Sequence, residues 1–591
     1  TGTVLLALLG GAACAPPPEE MDGSTASIWS QEWRYDPGTA PVQASQGMVA
    51  TTDELASRVG VDVLQAGGNA VDAAVAVSFA LAVVNPEAGN IGGGGFMIVR
   101  LADGTTAALD YREKAPGAAH RDMFLDSAGN LTDRSVVGHL ASGVPGTVMG
   151  LWEAHQRFGE RPWTELVEPS IELARGFPVR DRFLNSLGES MVEALSAFPA
   201  SAAQFLPDEG APPAVGDTLR QDDLTRTLER IRDQGPEGFY AGETADLIVA
   251  EMARGEGLIT HEDLAAYTAV WRDPVAFEYR GYTLVSMPPS SSGGVTMAEG
   301  ANILEGYDLG ALPFDGAERV HRMAEAWRRA FADRNHYLGD PDFVEMPLAD
   351  LVSDDYASFR RSSISLDDAT PSDAVGPGVE AFRGQEPTEG SGSGREGEHT
   401  THFSIVDADG NAVAVTTTIN SWYGSKVTVA GAGFVLNNEM DDFAAKPGTP
   451  NQFGLVQGER NAVEPGKRML SAMTPTVVLD PDGELFMVTG TPGGSTIITT
   501  TFQTVSNVID HGMNVSQAVL APRIHHQHLP DQIFYEEGGL SDAVVAELEA
   551  MGHTVVERGG VSGDVQAILV APDGTLTAHS DPRRGGRAIG Y

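Results

Sequence analysis

The 591-residue chain contains a single cysteine, Cys14, and this scarcity limits how the protein can be stabilised. One cysteine cannot form a disulfide within the chain, and it cannot build a structural zinc site that needs several thiolates. Basic residues are also scarce, because 38 lysines and arginines stand against 82 aspartates and glutamates, and only four are lysines. The formal charge of −44 argues against nucleic acid or an anionic membrane surface as a partner.

The apolar run near the beginning of the chain, from Val4 to Ala13, is too short to span a bilayer. Such a run is typical of the central region of an export signal. Cys14, preceded by Ala12-Ala13 and followed by prolines, is similar to a bacterial lipoprotein cleavage site, although Gly11 stands where Leu is usual. We therefore predict export to the periplasm or cell envelope with a lipid anchor at Cys14, and simple secretion is the alternative.

The composition, with 42% hydrophobic and 7% aromatic residues, is that of a globular protein. Residues 1–45 are rich in proline and serine and predict a signal and linker. Residues 367–399 are poor in large apolar side chains and rich in glycine, proline and acid, which predicts a flexible connector. The chain therefore divides into residues 1–45, residues 46–399 ending in the connector, and residues 400–591.

Periodicity predicts both helices and strands. Asn69 to Val84 is apolar nearly all round, which predicts a buried helix. Residues 150–270 are mainly helical in pattern, whereas strand patterns become frequent after Thr401, including a hairpin closed by the turn 407–411. The glycine-rich stretch from Glu87 to Phe96 leads into a strand and has no Gly-x-Gly-x-x-Gly register, which argues against a dinucleotide site.

Thr400 directly follows the connector and opens a strand-like run. This is the arrangement that an N-terminal nucleophile needs: once the preceding peptide bond is cut, the freed α-amino group can act as base for the threonine hydroxyl. An α-amino group titrates at about 7.7–8.0, close to working pH. Taken alone the pattern is weak evidence, since threonine is common where strands begin.

The motifs around Thr400 resemble those of the γ-glutamyltranspeptidase family, in which the small subunit begins at Thr-Thr-His. They follow the family's order from about Gly47 to Tyr591. Those upstream of Thr400 are residues 67–74 (GGNAVDAA), 89–96 (GNIGGGGF), 110–113 (DYRE) and 142–146 (SGVPG). Those from Thr400 onward are residues 400–404 (TTHFS), 437–443 (NNEMDDF), 470–475 (LSAMTP), 489–495 (TGTPGGS) and 522–527 (PRIHHQ).

The resemblance implies an α+β fold, the αββα sandwich of N-terminal nucleophile hydrolases, built jointly from a large subunit (46–399) and a small catalytic subunit (400–591). Self-cleavage between His399 and Thr400 would produce this heterodimer. The implied enzyme is a γ-glutamyltransferase or glutathione hydrolase without a cofactor. Its γ-glutamyl donors, glutathione among them, would transfer the γ-glutamyl group to water or to amino acids and peptides.

The same resemblance implies roles for the residues of the reaction centre. Thr400 would be the nucleophile, and Thr418 would hydrogen-bond it from the paired strand. Gly493 and Gly494 would form the oxyanion hole, since glycine amides reach a developing oxyanion without side-chain obstruction. Considered one at a time, Thr418 could instead be a threonine that simply suits a strand, and Gly493-Gly494 could be an ordinary tight turn.

A γ-glutamyl group carries an α-carboxylate and an α-ammonium, so its pocket needs both signs of charge. Arg112 is suited to fork onto the carboxylate, and Ser471 can donate to it. Asp442, Glu439 and Asn420 can accept the ammonium protons. Each of these residues alone could equally be a surface ion pair, a cap or a strand polar group.

Two positions depart from the family pattern. The usual Ser-Ser pair is Ser471-Ala472 here, and the lid segment 442–463 has Phe453 where some members have tyrosine. Both departures concern how tightly substrate is recognised. The run His525-His526-Gln527-His528 lacks metal-ligand spacing, and we predict no metal there; we expect His402 to be structural.

Two alternatives remain open at the level of sequence. The first is a glutaryl-type amidase or cephalosporin acylase of the same fold, which would prefer glutaryl to γ-glutamyl compounds. The second is a non-catalytic envelope lipoprotein that only binds amino acids or peptides, which an uncleaved purified chain would favour.

Overall fold

A computed structural model describes residue 29 and residues 32–207, 210–385, 400–560 and 562–591. Cys14 and His399 lie outside the described residues, as does the second half of the predicted connector. None of the helices in the described ranges combines the length and apolar character needed to cross a bilayer.

The strands, in chain order, are β1 (Val42–Ala44), β2 (Met48–Thr51), β3 (Gly94–Arg100), β4 (Thr106–Asp110), β5 (Phe177–Pro178), β6 (Thr218–Leu219), β7 (Val270–Arg272), β8 (Val275–Tyr279), β9 (Tyr282–Ser286), β10 (Thr401–Val406), β11 (Ala412–Thr418), β12 (Thr476–Leu479), β13 (Leu485–Gly490), β14 (Ile524–His525), β15 (Ile533–Glu536), β16 (Val555–Arg558), β17 (Gln566–Val570), β18 (Leu576–Ser580) and β19 (Arg587–Gly590).

The α-helices, in chain order, are α1 (Glu54–Gln65), α2 (Ala70–Val84), α3 (Thr147–Phe158), α4 (Trp163–Ala174), α5 (Asp181–Asn185), α6 (Glu189–Ser196), α7 (Pro199–Phe205), α8 (Asp222–Gln234), α9 (Glu237–Tyr240), α10 (Gly242–Arg254), α11 (His261–Ala265), α12 (Gly293–Glu305), α13 (Ala317–Tyr337), α14 (Leu348–Leu351), α15 (Asp354–Arg361), α16 (Val379–Phe382), α17 (Thr496–Ile509), α18 (Val515–Leu520) and α19 (Asp542–Ala550).

Two seven-stranded antiparallel sheets form the centre of the molecule. The first sheet has the order β1-β18-β17-β13-β12-β9-β8, and the second has the order β19-β2-β10-β11-β3-β4-β7. Their facing sides bury one apolar cluster, which includes Phe96 and Ile98 from the second sheet and Val477 and Val488 from the first. Helices α1, α2, α3 and α4 cover the outer side of the second sheet, and α12, α13 and α17 cover the first. The αββα sandwich expected from the resemblance is confirmed.

Helix α2 shows why the sequence folds in this way. All of its residues are buried, as its all-round apolar pattern predicted. Asn69 begins the helix with a capping box, in which its side chain accepts from the Val71 and Asp72 amides and Asp72 accepts from the Asn69 amide. The cap satisfies backbone donors that water cannot reach at this buried helix end.

The hairpin of β10 and β11 is central in the second sheet and has the predicted position. Thr401 pairs with Thr417, and the register continues without a bulge to Val406 opposite Ala412. Asp407 closes the turn, because its Oδ1 accepts from the backbone amides of Asp409 and Asn411 at 3.0 and 2.9 Å. This register brings the residue before β10 next to the last residue of β11.

The first half of the predicted flexible connector is instead packed on the protein. Residues 372–374 form a 3₁₀ turn, and α16 follows with Val379 buried. Helix α13 supplies the partners, since the Gly378 amide donates to Asp333 Oδ1 at 2.7 Å and the Val379 amide donates to the Tyr337 hydroxyl at 3.1 Å. Composition alone did not indicate these contacts, because they depend on buried polar groups of a distant helix.

Candidate active site

A pocket lies where the ends of the two sheets meet. Eight of the site residues predicted from the sequence line it, as do the two positions that depart from the family pattern, and Gly493 directly precedes one of the eight. The pocket is lined by Arg112, Arg334, Thr400, Thr418, Asn420, Glu439, Asp442, Phe453, Leu455, Leu470, Ser471, Ala472, Met473, Gly494, Ser495 and Ile497. Predicted site residues up to 382 positions apart in the sequence, Arg112 and Gly494, therefore lie in one pocket.

Thr400 lies immediately before β10 and is 6% exposed. Its Oγ1 is 3.3 Å from Oγ1 of Thr418, the last residue of β11. The Asn420 amide donates to Thr418 Oγ1 at 2.8 Å, which orients the Thr418 hydroxyl so that it can donate towards Thr400. Arg584 fixes the other side of Thr400, because its Nη1 donates to the Thr400 carbonyl oxygen at 3.2 Å.

Asn420 lies in the left-handed region of backbone conformation, with φ of 71°. This conformation is uncommon for residues other than glycine, although asparagine tolerates it better than most. Its side-chain Nδ2 donates to the Asn438 carbonyl at 3.0 Å, which ties this loop to the segment carrying Glu439 and Asp442. The turn therefore places three pocket residues from two segments in one rigid unit.

The glycine-rich stretch of residues 89–96 supports the end of β11. Asn90 Nδ2 donates to the Thr418 carbonyl at 2.8 Å. A Cβ on Gly93 would lie 2.1 Å from the same carbonyl oxygen, so only glycine permits this approach. The Gly146 amide in turn donates to the Gly93 carbonyl at 2.7 Å. Two of the sequence motifs thus hold the strand end that carries Thr418.

His402, two residues after Thr400, lies inside the sandwich and does not line the pocket. It is fully buried, its Nδ1 contacts Thr416 Oγ1 at 2.8 Å, and its Nε2 contacts Ser404 Oγ at 3.1 Å. Burial lowers the pKa of His402 to about 3, which keeps the ring neutral at physiological pH. This position agrees with the structural role expected from the sequence.

Gly493 and Gly494 form the turn between β13 and α17. Their φ angles of 138° and 58° lie where side chains are disfavoured, and a Cβ on Gly493 would lie 2.4 Å from Thr496 Oγ1. Because α17 begins at Thr496, the turn lies at the positive end of a helix of 14 residues. The tight turn and the electropositive site are one and the same structure, suited to a developing negative charge.

Arg112, just after β4, is a buried cation surrounded by carboxylates. Its Nη1 lies 2.7 Å from Glu439 Oε2, its Nη2 pairs with Asp442 Oδ2, and its Nε donates to the Met469 carbonyl at 3.3 Å. Burial alone would lower the pKa of Arg112, but Glu439, Asp442 and the nearby Glu113 hold it above its usual value. The guanidinium is therefore charged and held on several sides before any ligand arrives.

The carboxyl groups in this cluster have raised pKa values. Burial, reinforced by neighbouring carboxylates, raises the pKa of Glu439 well above its usual value, and burial also raises that of Asp442. Glu113 lies behind the pocket, 3.6 Å from Arg112 Nη1, and burial raises its pKa to about 8. The cluster can bind a positively charged group, whose arrival would favour ionisation of these acids.

Ser471 lies in the segment before β12 and lines the same pocket. Its carbonyl oxygen accepts from the amide and the hydroxyl of Ser292, at 2.8 and 2.5 Å, and its amide donates to the Ser290 carbonyl at 3.0 Å. Ala472 is 9% exposed and, like Phe453, belongs to the apolar cluster around α12 and α13. Both departures from the family pattern therefore face the pocket.

Two charged residues of the site were missed as functional candidates. The sequence indicated Glu113 only as part of the motif at residues 110–113. Its position next to Arg112 could have marked it as a member of the charged cluster. Arg334 lies in α13 and lines the pocket with 1% exposure. A helix with several arginines is typical of an exposed surface, so the sequence offered no signal for Arg334.

The histidine run near residue 525 does not converge on one point. His525 Nδ1 contacts Thr499 Oγ1 at 2.8 Å, His526 Nε2 faces Asp531, and His528 Nε2 contacts two carbonyl oxygens. Within the described ranges, the group with metal-ligating side chains close together is His321, Glu325 and His553.

That second group is poorly suited to a metal. His321 Nδ1 and His553 Nε2 are 2.7 Å apart in a hydrogen bond, so a ring nitrogen that a metal would need is already engaged. Glu325 is paired with Arg328 and Arg329, and the Thr370 amide also donates to it. The buried arginines would repel a cation.

An αββα sandwich with a buried threonine at the start of a central strand, opposite glycine amides at a helix N-terminus, defines the class of N-terminal nucleophile hydrolases. The family model described as gamma-glutamyltranspeptidase matches residues 56–591. The chain belongs to the γ-glutamyltranspeptidase family.

Individual relatives agree with this assignment. The glutathione hydrolase proenzyme of Escherichia coli is 49% identical over 545 residues, covering 92% of this chain and 91% of the relative. The crystal structure of a cephalosporin acylase from Bacillus halodurans is similar with a TM-score of 0.80 at 28% identity, covering 95% of this chain and 98% of that chain. A γ-glutamyltranspeptidase structure from Helicobacter pylori matches with a TM-score of 0.54 at 43% identity, covering 55% and 94%.

Proposed function

We propose that the protein is a self-processing γ-glutamyltransferase and glutathione hydrolase whose nucleophile is Thr400. The observation that carries the proposal is the position of Thr400 Oγ1. It lies 3.3 Å from Thr418 Oγ1 in a pocket that also contains Gly494 and the cluster around Arg112. Nucleophile, oxyanion donors and groups for a zwitterionic substrate thus share one small space.

The first reaction is self-cleavage. Thr400 Oγ1 attacks the carbonyl carbon of residue 399, the carbon–nitrogen bond breaks, and the nitrogen leaves with a proton as the free α-amino group of Thr400. Water then hydrolyses the resulting ester, which releases the carboxyl group of residue 399 and restores the Thr400 hydroxyl. The product is an N-terminal threonine in which the amine is the nearest base for the hydroxyl.

Turnover repeats this chemistry on the substrate. The α-amino group takes the Thr400 hydroxyl proton as Oγ1 attacks the γ-carbonyl carbon, and the Gly493 and Gly494 amides stabilise the oxyanion. The amide bond breaks, the leaving amine takes the proton, and a γ-glutamyl ester remains on Thr400. Water then gives glutamate, or the amine of an amino acid or peptide gives a new γ-glutamyl compound.

Recognition of the γ-glutamyl group rests on opposite charges in the pocket. The ammonium group binds to Asp442, Glu439 and the Asn420 side chain, while the carboxylate binds to Arg112 and Ser471. The cluster around Arg112 contains two pocket-lining acids and Glu113 behind them, so it favours a ligand that brings its own positive charge. A plain dicarboxylic acid chain would lack that charge.

The two products of self-cleavage remain associated as a heterodimer in this proposal. Both main sheets take strands from each side of Thr400: β9 pairs with β12 in the first sheet, and β10 pairs with β2 in the second. Separation would break backbone hydrogen bonds and expose the core between the sheets, so cleavage leaves one folded unit.

A direct test compares the purified wild-type chain with Thr400→Ala. We expect the wild type to give two fragments, the smaller beginning Thr-Thr-His-Phe-Ser, and to release glutamate from glutathione. Adding glycylglycine should divert part of the γ-glutamyl group into a new peptide. Thr400→Ala should stay uncleaved and inactive. A smaller fragment with any other N-terminus would refute the assignment of Thr400.

A second candidate within the same class is a glutaryl-type amidase or cephalosporin acylase. The similarity to the Bacillus halodurans cephalosporin acylase and the apolar side chains of Ala472 and Phe453 in the pocket favour it. A higher kcat/KM for a glutaryl amide than for the matching γ-glutamyl amide would select this alternative. A non-catalytic binding lipoprotein, in contrast, would show neither cleavage nor turnover.

The proposal also places the enzyme in the cell envelope, exported and lipid-anchored at Cys14, with the membrane contacted only through the lipid. Labelling cells with radioactive palmitate should mark the wild-type chain and leave Cys14→Ser unlabelled. A secreted wild-type protein without label would show that Cys14 is not a lipidation site.

A further inference from the structure

Arg334 is a buried guanidinium whose bonding is incomplete. Its Nε donates to Ser292 Oγ at 2.9 Å, and its Nη1 donates to Asn335 Oδ1 at 2.8 Å. Among the described residues, Nη2 has no hydrogen-bond partner, although Arg334 is 1% exposed and lines the pocket. A buried charge without an ionic partner is strongly unfavourable, so an anion that reaches Nη2 would be bound firmly.

Arg112, the other guanidinium of the pocket, is in the opposite situation. Two carboxylates, Glu439 and Asp442, already pair with it, and Glu113 lies 3.6 Å away. The three nitrogens of the Arg112 guanidinium already contact Glu439, Asp442 and the Met469 carbonyl oxygen. Arg112 alone therefore offers few free donors to a substrate carboxylate.

Arg334 lies on the wall where Ala472 offers no hydroxyl. The Ser292 hydroxyl accepts from Arg334 Nε and donates to the Ser471 carbonyl at 2.5 Å, so one bridging side chain links the guanidinium to the Ser471-Ala472 segment. Burial lowers the pKa of Arg334 to about 10, although Asp442, which also lines the pocket, acts favourably on the charge of Arg334. At neutral pH the guanidinium remains protonated and can donate.

We propose that Nη2 of Arg334 donates a charge-assisted hydrogen bond to the substrate α-carboxylate and is a specificity-determining residue for acyl donors that carry this group. The inference rests on the proposed γ-glutamyl function and deepens it. The carboxylate would then be bound by the guanidinium groups of both Arg112 and Arg334, with Ser471 as a further donor. Arg334 would thus supply a hydrogen bond to the carboxylate that the methyl group of Ala472 cannot donate.

Three p-nitroanilide substrates can show which charged group of the substrate Arg334 contacts. The γ-glutamyl compound carries both carboxylate and ammonium, the glutaryl compound only the carboxylate, and the 4-aminobutyryl compound only the ammonium. For self-cleaved Arg334→Gln we expect kcat/KM to fall about 10- to 100-fold for the first two. The value for 4-aminobutyryl-p-nitroanilide should stay within about twofold of wild type, because it has no carboxylate to lose.

Arg319 provides a matched control, since it lies on the same helix, is 3% exposed and has a pKa likewise lowered by burial to about 10. It contacts the Phe314 carbonyl rather than the pocket. Arg319→Gln should cost folding stability without changing the ratios among the three substrates. An equal loss on all three substrates for Arg334→Gln, or no loss, would overturn the proposal.

Two further measurements keep the inference testable. If Arg334→Gln does not cleave itself, Arg334→Lys retains the charge with a shorter reach, and an equal response of all three substrates would again overturn it. If Ser292→Ala reproduced the whole carboxylate-selective loss, Arg334 would act through Ser471, and direct contact would be refuted. Failure of the proposed γ-glutamyl function can be distinguished from failure of the Arg334 proposal, because the wild-type enzyme would then not turn over γ-glutamyl-p-nitroanilide at all.

Discussion

The two walls of the pocket come from different sheets and differ, within the described ranges, in which kind of polar group is left without a hydrogen-bond partner. On the wall from the second sheet, Arg112 is bound to Glu439 and Asp442, and Thr418 accepts from the Asn420 amide. On the wall from the first sheet, Nη2 of Arg334 has no partner among the described residues. The wall from the first sheet therefore retains a donor that a substrate carboxylate can satisfy, whereas the wall from the second retains carboxyl oxygens of Glu439 that a substrate ammonium can satisfy.

The difference assigns separate tasks to the two walls. Under the proposed function, the second sheet positions Thr400 as the nucleophile, and the contacts of Thr418 limit motion there before the reaction. The side of the first sheet would present donors to the substrate, from the Gly493-Gly494 turn, Ser471 and Arg334. Substitutions on the first wall should therefore change selectivity between substrates, and those on the second should change the nucleophile or the ammonium site.

The largest expected effect is from distorting the glycine turn. Gly493→Ala would place a Cβ 2.4 Å from Thr496 Oγ1 and force φ away from 138°, which displaces the amides. We expect kcat for γ-glutamyl-p-nitroanilide to fall about 10²- to 10³-fold in the self-cleaved fraction, the usual loss for one oxyanion donor. Steady-state kinetics with a separately measured KM will show it.

Gly483→Ala is the matched control, because Gly483 also has positive φ, at 87°, in the turn between β12 and β13, but has open space around it. It should cost about 1 kcal/mol in free energy of unfolding and leave kcat unchanged. A Gly493→Ala enzyme with wild-type kcat would show that this turn does not form the oxyanion hole.

The next effect belongs to the ammonium site on the second wall. Asp442→Asn removes a carboxylate that pairs with Arg112, and we expect KM for γ-glutamyl-p-nitroanilide to rise about 10- to 100-fold. Glutaryl-p-nitroanilide, which has no ammonium, should respond less. The comparison needs full kinetics on both substrates with complete self-cleavage verified by electrophoresis.

Asp441→Asn is the neighbouring control. Asp441 is also buried, but its carboxylate accepts from the Ser135 hydroxyl and the Gln452 amide and does not line the pocket. Its substitution should affect both substrates to the same extent. If Asp442→Asn also affected them equally, Asp442 would be positioning the loop rather than binding the ammonium.

A smaller effect is expected for Ala472→Ser, which tests the wall from the first sheet. It adds a hydroxyl to a pocket position that has only a methyl group. We expect KM to fall up to about tenfold for the γ-glutamyl and glutaryl compounds, since both carry the carboxylate, and to stay unchanged for 4-aminobutyryl-p-nitroanilide. An equal response of all three would mean that residue 472 acts through packing alone.

The sequence was a good guide where function depends on local patterns. The hairpin β10–β11 and the turn 407–411 follow from alternation and turn residues, and the ordered motifs named all but one of the charged groups that line the pocket. Arg334 was missed because its burial depends on how α13 packs against the first sheet. Strand β19 was missed for the same reason, since it pairs with β2, more than 500 residues earlier.

The smallest effect on activity is expected for His402→Gln, which tests whether this buried neighbour of Thr400 is structural. Because burial lowers the pKa of His402 to about 3, the folded protein keeps the ring neutral while the unfolded chain takes up a proton below about 6.5. The stability contribution is therefore fully present above pH 6.5 and is lost as the pH falls towards 3. Activity at pH 8 should change little, since the proposed base is the Thr400 amine.

Urea unfolding at several pH values tests whether His402 stays neutral in the folded protein. In the uncleaved Thr400→Ala background the chain unfolds as one polypeptide. The change in the free energy of unfolding with pH can therefore be compared between variants. Adding His402→Gln should make the free energy of unfolding fall less steeply between pH 6.5 and pH 3. An unchanged slope would mean that His402 can be protonated in the folded protein, and its exclusion as a base would then fail.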